Sequence, residues 1–252
     1  MNGQQLQIDT ISNNLANVNT TGFKKKRAEF EDLVYQNLKL AGTPATEDTV
    51  TPVGVQMGNG VRLGATQRMF QQGSLQNTEN STDVAITGEG FFRVQQYDGT
   101  YAYTRDGSFK LDQNRRLVTT DGYPLADGIT IDANAPNDSI VIAGDGQVSC
   151  TPAGGTVTAV GQITLSRFVN PAGLFAIGKN LFQETEASGN AIDSNPGEEG
   201  AGTLTQGVVE MSNIQIVEEM VNMIVAQRAY ESNSKAITTS DSMLEIANSL
   251  KR

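Results

Sequence analysis

Apolar residues toward the C-terminal end of the chain recur at a spacing of seven. This line contains Ile216, Met223, Tyr230, Ile237 and Leu244. A seven-residue apolar repeat is typical of a coiled-coil seam, so the sequence predicts one long helix over residues 212–250. Met220 and Ile224 lie beside this stripe and are assigned to the same interface. A seam of this kind requires a partner helix.

A matching apolar stripe occupies the first twenty residues. Its members are Ile8, Ile11, Leu15 and Val18. They are separated by three, four and three residues, which is the spacing of one helix face. Asn14 and Asn17 lie in the same segment and are assigned to the interface, although asparagine is a poor helix former. We therefore predict that the two terminal helices pair, either within one chain or between copies.

The residues after the first helix change character twice. An Asn-Thr-Thr-Gly run at residues 19–22 predicts a helix end and a turn. The spacing of Phe30, Leu33, Val34 and Leu38 then predicts a short amphipathic helix. Residues 41–60 are rich in Thr, Pro and Gly and lack periodicity, which predicts an extended arm.

Alternation of apolar and polar residues replaces the helical pattern from about residue 61 to residue 207. The alternating apolar pairs are Phe92 and Val94, Tyr101 and Tyr103, Phe109 and Leu111, Ile129 and Ile131, Ile140 and Ile142, and Ile163 and Leu165. Asp-Gly dipeptides, which favour tight turns between antiparallel strands, begin at Asp98, Asp106, Asp121, Asp127 and Asp145. The sequence therefore predicts an all-β domain in this region.

These elements define the predicted fold, which is mixed α and β. An extended arm and an all-β domain are inserted between two terminal helices that pair as a coiled-coil-like α domain. The predicted boundaries are residues 1–30 for the N-terminal helix, 31–65 for the arm, 66–207 for the β domain and 208–252 for the C-terminal helix.

Composition narrows the possible partners. The chain has 252 residues, a net charge of −10 and one cysteine, Cys150. Because nucleic acids and anionic membranes bind basic surfaces, neither is predicted as a partner. The one basic run, at residues 24–27, is interpreted as a solvated face. The sequence predicts no internal disulfide, no membrane-spanning segment and no cleaved signal peptide.

Catalytic chemistry finds little support in the residues. The absence of histidine removes Ser-His and Cys-His nucleophile pairs and imidazole metal sites. Cys150 has no base near it in sequence and is interpreted as inert. Gly88 and Gly90 fit a tight turn better than a dinucleotide-binding loop, and the Asp-Gly sites lack the ligand spacing of calcium loops. We therefore predict no enzyme activity, no cofactor and no metal. Acidic residues are plentiful, so the sequence alone does not exclude a pair of carboxylates that cleaves glycans, but no pair stands out.

Three groups of motifs carry a resemblance to one family. The first is residues 11–24, Ile-Ser-Asn-Asn-Leu-Ala-Asn-Val-Asn-Thr-Thr-Gly-Phe-Lys. The second joins residues 83–92, Asp-Val-Ala-Ile-Thr-Gly-Glu-Gly-Phe-Phe, to residues 103–109, Tyr-Thr-Arg-Asp-Gly-Ser-Phe. The third comprises Glu-Met-Ser-Asn at residues 210–213 and the segments 219–224 and 227–231. Together they span nearly the whole chain and resemble the bacterial flagellar axial proteins, which build rod and hook.

The resemblance implies a structural protein that assembles with further copies of itself into a helical tube. It also implies that proximal rod proteins, hook proteins and the surrounding flagellar ring proteins are partners, and that the chain leaves the cytoplasm through the flagellar type III export apparatus. The expected location is the periplasmic rod of the basal body. Family members normally carry a further stretch of N-terminal helix before the position of Met1, so by comparison with the family this chain is either truncated or starts late.

The resemblance also suggests how the tube would be built. The terminal helices would line its inner wall, with Leu15, Val18, Ile216, Met223, Tyr230 and Ile237 in the seam. Asn14, Asn17, Asn213 and Asn222 would bond between subunits, or would serve in turns and caps. The arm resembles that of distal rod subunits, which transmit torque as a drive shaft; a proximal rod or hook subunit is the alternative. A rival from another class is an extracytoplasmic β-domain binder or glycan-active enzyme.

Overall fold

The structure, a computed structural model, describes residues 1–41, 44–46, 49–50, 52–132, 135–136, 139–152 and 156–250. Within them lie two α-helices, α1 (Asn2–Ala16) and α2 (Ile216–Ser249), with many strands between. This confirms the prediction of a mixed α and β fold with a helix at each end. Neither helix in the described part of the chain has the length and apolar character needed to cross a membrane.

The chain divides into two compact units. The helical unit comprises Met1–Asn13, Lys26–Gln67 and Val217–Arg252, and the β unit comprises Asn14–Lys25 and Arg68–Ile216. Both units are therefore built from segments that are distant in sequence. Each unit is described separately below.

The middle segment of the helical unit forms paired strands. β1 (Lys26–Asp32) pairs with β6 (Val61–Arg68), β2 (Gln36–Lys39) with β5 (Val55–Met57), and β3 (Pro44–Thr46) with β4 (Thr49–Val50). The predicted arm thus contains an antiparallel ladder between β2 and β5. Residues 42–43, 47–48 and 51 of that prediction lie outside the described residues.

The prediction of a short helix around residues 30–38 is wrong, because β1 and β2 occupy this region. An isolated short helix gains most of its stability from burying an apolar face. Val34 and Leu38 are exposed here, so no such face is buried. The strands instead satisfy the backbone through cross-strand pairing, and Arg62 forms an exposed ion pair with Glu31 at 3.0 Å.

The β unit contains the remaining strands. They are β7 (Leu75–Asn77), β8 (Val84–Thr87), β9 (Phe91–Gln95), β10 (Tyr101–Thr104), β11 (Lys110–Leu111), β12 (Leu117–Val118), β13 (Ile140–Ile142), β14 (Gln147–Cys150), β15 (Thr158–Gln162), β16 (Leu165–Arg167), β17 (Phe175–Gly178), β18 (Leu181–Gln183), β19 (Ile192–Ser194), β20 (Thr203–Gln206) and β21 (Val208–Glu210). One 3-10 turn, Pro171–Gly173, precedes β17.

The main sheet of this unit has six antiparallel strands in the order β17-β18-β10-β9-β16-β19. A smaller sheet contains β13, β14 and β15, and three further pairs join β11 to β12, β20 to β8 and β21 to β7. The two last pairs bring the strands that precede α2 against strands from the start of the β unit. The C-terminal end of the unit is therefore fixed to its beginning.

Four of the five predicted Asp-Gly turns divide into two kinds, and the fifth, at Asp121, lies in a turn in which the Gly122 N–H donates to the Thr119 carbonyl at 2.9 Å. Those at Asp98 and Asp145 connect the antiparallel pairs β9–β10 and β13–β14, as expected. Asp106 and Asp127 do not join two paired strands. The Asp106 carboxylate accepts the backbone N–H of Ser108 at 3.1 Å in the loop after β10, and the Asp127 carboxylate accepts the backbone N–H of the distant Thr164 at 3.1 Å. These two aspartates hold loops in place and do not close hairpins between neighbouring strands.

The core lies on both faces of the central strand β9. Consecutive side chains of a strand point to opposite faces, so Phe92 and Phe91 enter different clusters. Phe92 packs edge-on against Phe109 with ring centroids 5.0 Å apart in the larger cluster. Phe91 belongs to an aromatic cluster that also contains Tyr103 and Phe168. Burial on both faces explains why the first two residues of β9, Phe91 and Phe92, are both apolar and do not alternate with polar residues.

We predict that the Tyr103 hydroxyl makes the β unit less stable in alkali. Burial, together with the charges of Glu184 and Asp193, raises its pKa from 10.0 to about 12. Between these pH values the folded protein keeps a proton that the unfolded chain releases, so stability falls as pH rises. The Tyr103→Phe variant, followed by urea unfolding and circular dichroism, should lose less stability than wild type over this range. Parallel losses in both proteins would contradict the prediction, and exposed Tyr97→Phe is the control.

Candidate functional site

The predicted interface residues differ strongly in burial. In the N-terminal segment Ile11 and Asn14 are buried, while Ile8, Leu15, Asn17 and Val18 are partly buried. On α2, Met223 is partly buried, and the other assigned positions are exposed: Ile216, Met220, Ile224, Tyr230, Ile237 and Leu244. In the described chain, α1 and α2 share no extended packing. The pairing of the two helices and its interface therefore remain predictions.

The structure instead brings the sequence motifs together at a buried junction in the β unit. Its centre is a five-residue segment after α1, residues 21–25, which we call the latch. Asn180 donates its side-chain N–H to the carbonyl of Thr21 at 2.9 Å, and the backbone N–H of Gly22 donates to the carbonyl of Glu210 at 2.8 Å. Phe23 is buried. The latch is therefore bonded to elements from distant parts of the chain.

Gly22 is required at its position by backbone geometry and by space. Its φ of +67° lies in the left-handed region, which favours glycine. A Cβ atom there would come within 2.6 Å of the backbone nitrogen of Asp106. The latch and the loop after β10 approach so closely that no side chain fits between them.

Three charged side chains form the interior of the junction. Lys24 Nζ lies 2.5 Å from Glu210 Oε1, and Arg105 Nη1 lies 3.3 Å from Glu210 Oε2. The side chains of Lys24 and Glu210 are fully buried, and that of Arg105 is nearly so. Glu210 Oε1 also accepts the backbone N–H of Gly73 at 2.8 Å. One carboxylate thus compensates two buried cations. We call the side chains of Lys24, Arg105 and Glu210 the ion triad.

Further bonds place the two cations. Lys24 Nζ donates to the carbonyl of Gln71 at 2.8 Å, and Arg105 Nη2 donates to the carbonyl of Gly88 at 2.7 Å. The Arg105 guanidinium lies 5.4 Å from the centre of the Phe91 ring, within range of a cation–π contact. A buried charge is tolerated only when it is paired and hydrogen-bonded in this way.

Burial and pairing act on Lys24 in opposite directions. Removal from water lowers the pKa of the Lys24 ammonium, while the adjacent Glu210 carboxylate raises it, and the first effect is the larger. Burial likewise lowers the pKa of Arg105, against the opposing effect of Glu210. Both cations therefore depend on the Glu210 charge.

The interpretation of residues 24–27 as a solvated basic face is wrong for Lys24, whose side chain is fully buried. Arg27 does fit it, being exposed and paired with Glu29 at 2.7 Å. Sequence reasoning assigned no role to Arg105 or Glu210. The signal for Glu210 was available, since a lone acid after Val-Val in a short strand suggests a buried counter-ion.

Asn180 is a further residue that sequence reasoning missed. It follows Lys179 in the two-residue turn between β17 and β18, and both have positive φ values, +57° and +56°. Asparagine tolerates this conformation better than most residues. The turn thereby directs the Asn180 amide at the latch, while its carbonyl accepts the Thr104 hydroxyl at 2.9 Å.

The junction has the chemistry of a structural site. Its charged groups are paired with one another and sequestered from water, so none is positioned to attack or protonate a substrate. No group of three or more His, Cys, Asp or Glu side chains in the described ranges is arranged to hold a metal ion. Cys150 is buried, and its Sγ lies 3.7 Å from the Thr158 hydroxyl.

Comparison with protein families gives this junction a context. The model for flagella basal body rod proteins matches residues 1–24, the model for the flagellar hook protein FlgE/F/G D1 domain matches residues 85–150, and the model for the flagellar basal body rod FlgEFG protein C-terminal region matches residues 205–250. Each matched stretch supplies one member of the ion triad: Lys24, Arg105 and Glu210. The chain therefore contains three regions that are found in flagellar rod and hook proteins.

Similarity to individual proteins makes the family assignment more specific. The chain is 59% identical to the flagellar basal-body rod protein FlgG of Borreliella burgdorferi, covering 100% of the chain and 96% of the relative. It is 54% identical to FlgG of Buchnera aphidicola subsp. Schizaphis graminum, covering 97% and 94%. The flagellar hook-basal body complex protein FlhP of Bacillus subtilis is 33% identical, covering 100% and 96%. The chain belongs to the family of flagellar basal-body rod proteins.

This membership confirms the predicted resemblance and the predicted class of function. The protein is a structural component of the flagellar basal-body rod and not an enzyme. The rival interpretation as a β-domain binder or glycan-active enzyme is therefore set aside.

Removal of the Glu210 charge should destabilise the β unit far more than removal of the Lys24 charge. Glu210→Gln leaves two buried cations without a counter-ion, which costs about 3–5 kcal/mol. Lys24→Met leaves Glu210 paired with Arg105, and the Gln71 carbonyl keeps its bond from Asn213 at 3.1 Å. We expect this loss to be below about 2 kcal/mol. Urea unfolding followed by circular dichroism measures both; equal losses would contradict the assignment of Glu210 as the shared counter-ion.

Proposed function

We propose that copies of this chain assemble through their terminal helices into a helical tube that forms the distal part of the flagellar rod and transmits torque. The observation that supports this most directly is the state of α2. Of its 34 residues, only Glu219 and Ala226 are buried in the single chain. At 1.5 Å per residue the helix is about 50 Å long, and a helix of this length needs a covered apolar face to be stable.

The exposed seam of α2 supplies such a face. Met220, Ile224 and Ile237 are each about half exposed, and Leu244 is 64% exposed. Monomeric proteins rarely leave a contiguous apolar surface of this extent in water. The partner most consistent with family membership is the same face of neighbouring copies together with the stripe of α1. Head-to-tail contacts between identical chains produce an open helical filament.

The arm supports contacts of the same kind. The side chains of Val34, Leu38, Val53 and Met57 are exposed on or beside the pair β2–β5. A two-stranded ladder is marginally stable in water by itself, and exposed apolar side chains favour a covering surface. We infer that the arm packs on an adjacent copy and stiffens the tube.

The remaining partners follow from the position in the basal body. A distal rod would contact proximal rod proteins at one end and hook proteins at the other, with ring proteins around it. Export through the flagellar type III apparatus to the periplasmic rod agrees with a chain whose terminal helices expose so much apolar surface before assembly. The arm favours a distal rod subunit over a proximal rod or hook subunit.

The α2 seam can be tested with one charged substitution. Ile237→Asp places a carboxylate in the proposed interface, where it would be desolvated without a partner, so assembly should fail. Ile237 is 49% exposed in the single chain, so the monomer should fold as before. Sedimentation of concentrated full-length protein and electron microscopy measure the polymer, and circular dichroism measures the monomer.

Ser232→Asp is the matched control, because Ser232 is exposed on the side of α2 away from the seam. This variant adds the same charge to the same helix and should polymerise like wild type. Polymer formation by Ile237→Asp at the wild-type concentration would refute the proposed seam. If neither variant polymerises, added negative charge anywhere on α2 prevents assembly, and the result does not identify the seam.

A further inference from the structure

The side chain of Asn213 joins three segments of the chain at the edge of the β unit. Its Oδ1 accepts the backbone N–H of Lys25 at 2.8 Å. Its Nδ2 donates to the carbonyl of Met69 at 2.9 Å and to the carbonyl of Gln71 at 3.1 Å. The backbone N–H of Met69 donates in turn to the carbonyl of Lys25 at 2.9 Å. All donors and the acceptor of one carboxamide are therefore engaged within the chain.

These three segments lie at three of the four ends of the segments that make up the β unit; the fourth end is Asn14. Lys25 is the last residue of Asn14–Lys25, while Met69 is the second residue of Arg68–Ile216, and Asn213 lies three residues before its end. Beyond these points the chain continues into β1, β6 and α2. The bonds of Asn213 thus fix the three exits to one another inside the β unit.

The chemistry of the position is specific to a carboxamide. The site presents one N–H donor, from Lys25, and two carbonyl acceptors, from Met69 and Gln71. A primary amide has one oxygen acceptor and two N–H donors, which matches this set. Aspartate could accept from Lys25 but could not donate to either carbonyl, and leucine could do neither.

We propose that Asn213 is a positioning residue for assembly: inside the β unit its amide holds together the segment ends at Lys25, Met69 and Asn213 itself, from which the chain continues into β1, β6 and α2. The proposal rests on the proposed function, because it assigns Asn213 to the correct presentation of the terminal helices to neighbouring copies. It gives this asparagine a role within the chain, in contrast to the bonds between subunits that the resemblance implied.

We call the three hydrogen bonds of the Asn213 side chain, to Lys25, Met69 and Gln71, the clamp. Amide hydrogen exchange tests the clamp without reference to assembly. The informative probe is the Met69 N–H, because its acceptor is Lys25 and not Asn213. In Asn213→Leu and in Asn213→Asp the tie to the Met69 segment is lost, so Met69 exchange measured by NMR should accelerate about tenfold, as for the loss of one or two hydrogen bonds. The Lys25 N–H should accelerate in Asn213→Leu and stay protected in Asn213→Asp.

Two controls make the exchange result specific. Asn170→Leu removes one exposed side-chain bond, to the carbonyl of Ala187, and should leave Met69 unchanged. Within each variant, the Gly22 N–H bonds to Glu210 and should stay protected if the β unit remains folded. Unchanged Met69 exchange in both Asn213 variants would overturn the clamp. Loss of Gly22 protection in both would show a general structural role and would also overturn it.

Assembly of the same variants tests the second half of the proposal. Asn213→Leu should reduce the yield of sedimentable polymer at least about tenfold while Asn170→Leu does not. Faster Met69 exchange with normal polymer would overturn the link to assembly. If the wild-type chain forms no polymer, the proposed function fails, and the exchange result still decides the clamp.

Discussion

The carboxylate of Glu210 is the group on which the β unit most depends, because two buried cations from different parts of the chain share it. Lys24 lies 186 residues away in sequence and Arg105 lies 105 residues away. An apolar interior does not tolerate an unpaired cation, so each of the two segments must dock against Glu210 for its own charge to be compensated. The ion triad therefore makes the packing of the latch specific, a property that nonpolar contacts provide less strictly.

The two units differ in how they are stabilised. In the β unit, large aromatic residues lie on both faces of β9, and its terminal segments are tied down by the latch and by the pairs β20–β8 and β21–β7. In α2, by contrast, nearly every side chain faces solvent in the single chain. Under the proposed function, one part of the protein folds on its own contacts and the other gains its main contacts from other copies.

The local sequence pattern predicted individual helices and hairpins, but not which distant parts of the chain pack against them. The seven-residue repeat located α2, and two Asp-Gly dipeptides located hairpins, because these signals depend on residues close in sequence. The strand at residues 26–32 was missed because its apolar spacing fits a helix equally well, and its pairing with β6 is visible only in three dimensions. Lys24 was misjudged for the same reason, since its counter-ion is distant in sequence. The seam of α2 stays a predicted interface, because its residues are exposed in the single chain and the pattern of one sequence does not contain the partner surface.

The latch and its partners Glu210 and Asn213 are far apart in sequence, so they are synthesised at different times. During synthesis the latch is made early, whereas Glu210 and Asn213 belong to the last fifth of the chain. Contacts between such distant residues are slow to form, because a long loop must close before they are made. The bonds that the latch makes with Glu210 and Asn213 therefore form only when the chain is nearly complete, so a nascent or truncated product lacking the end of the β unit carries Lys24 without its counter-ion.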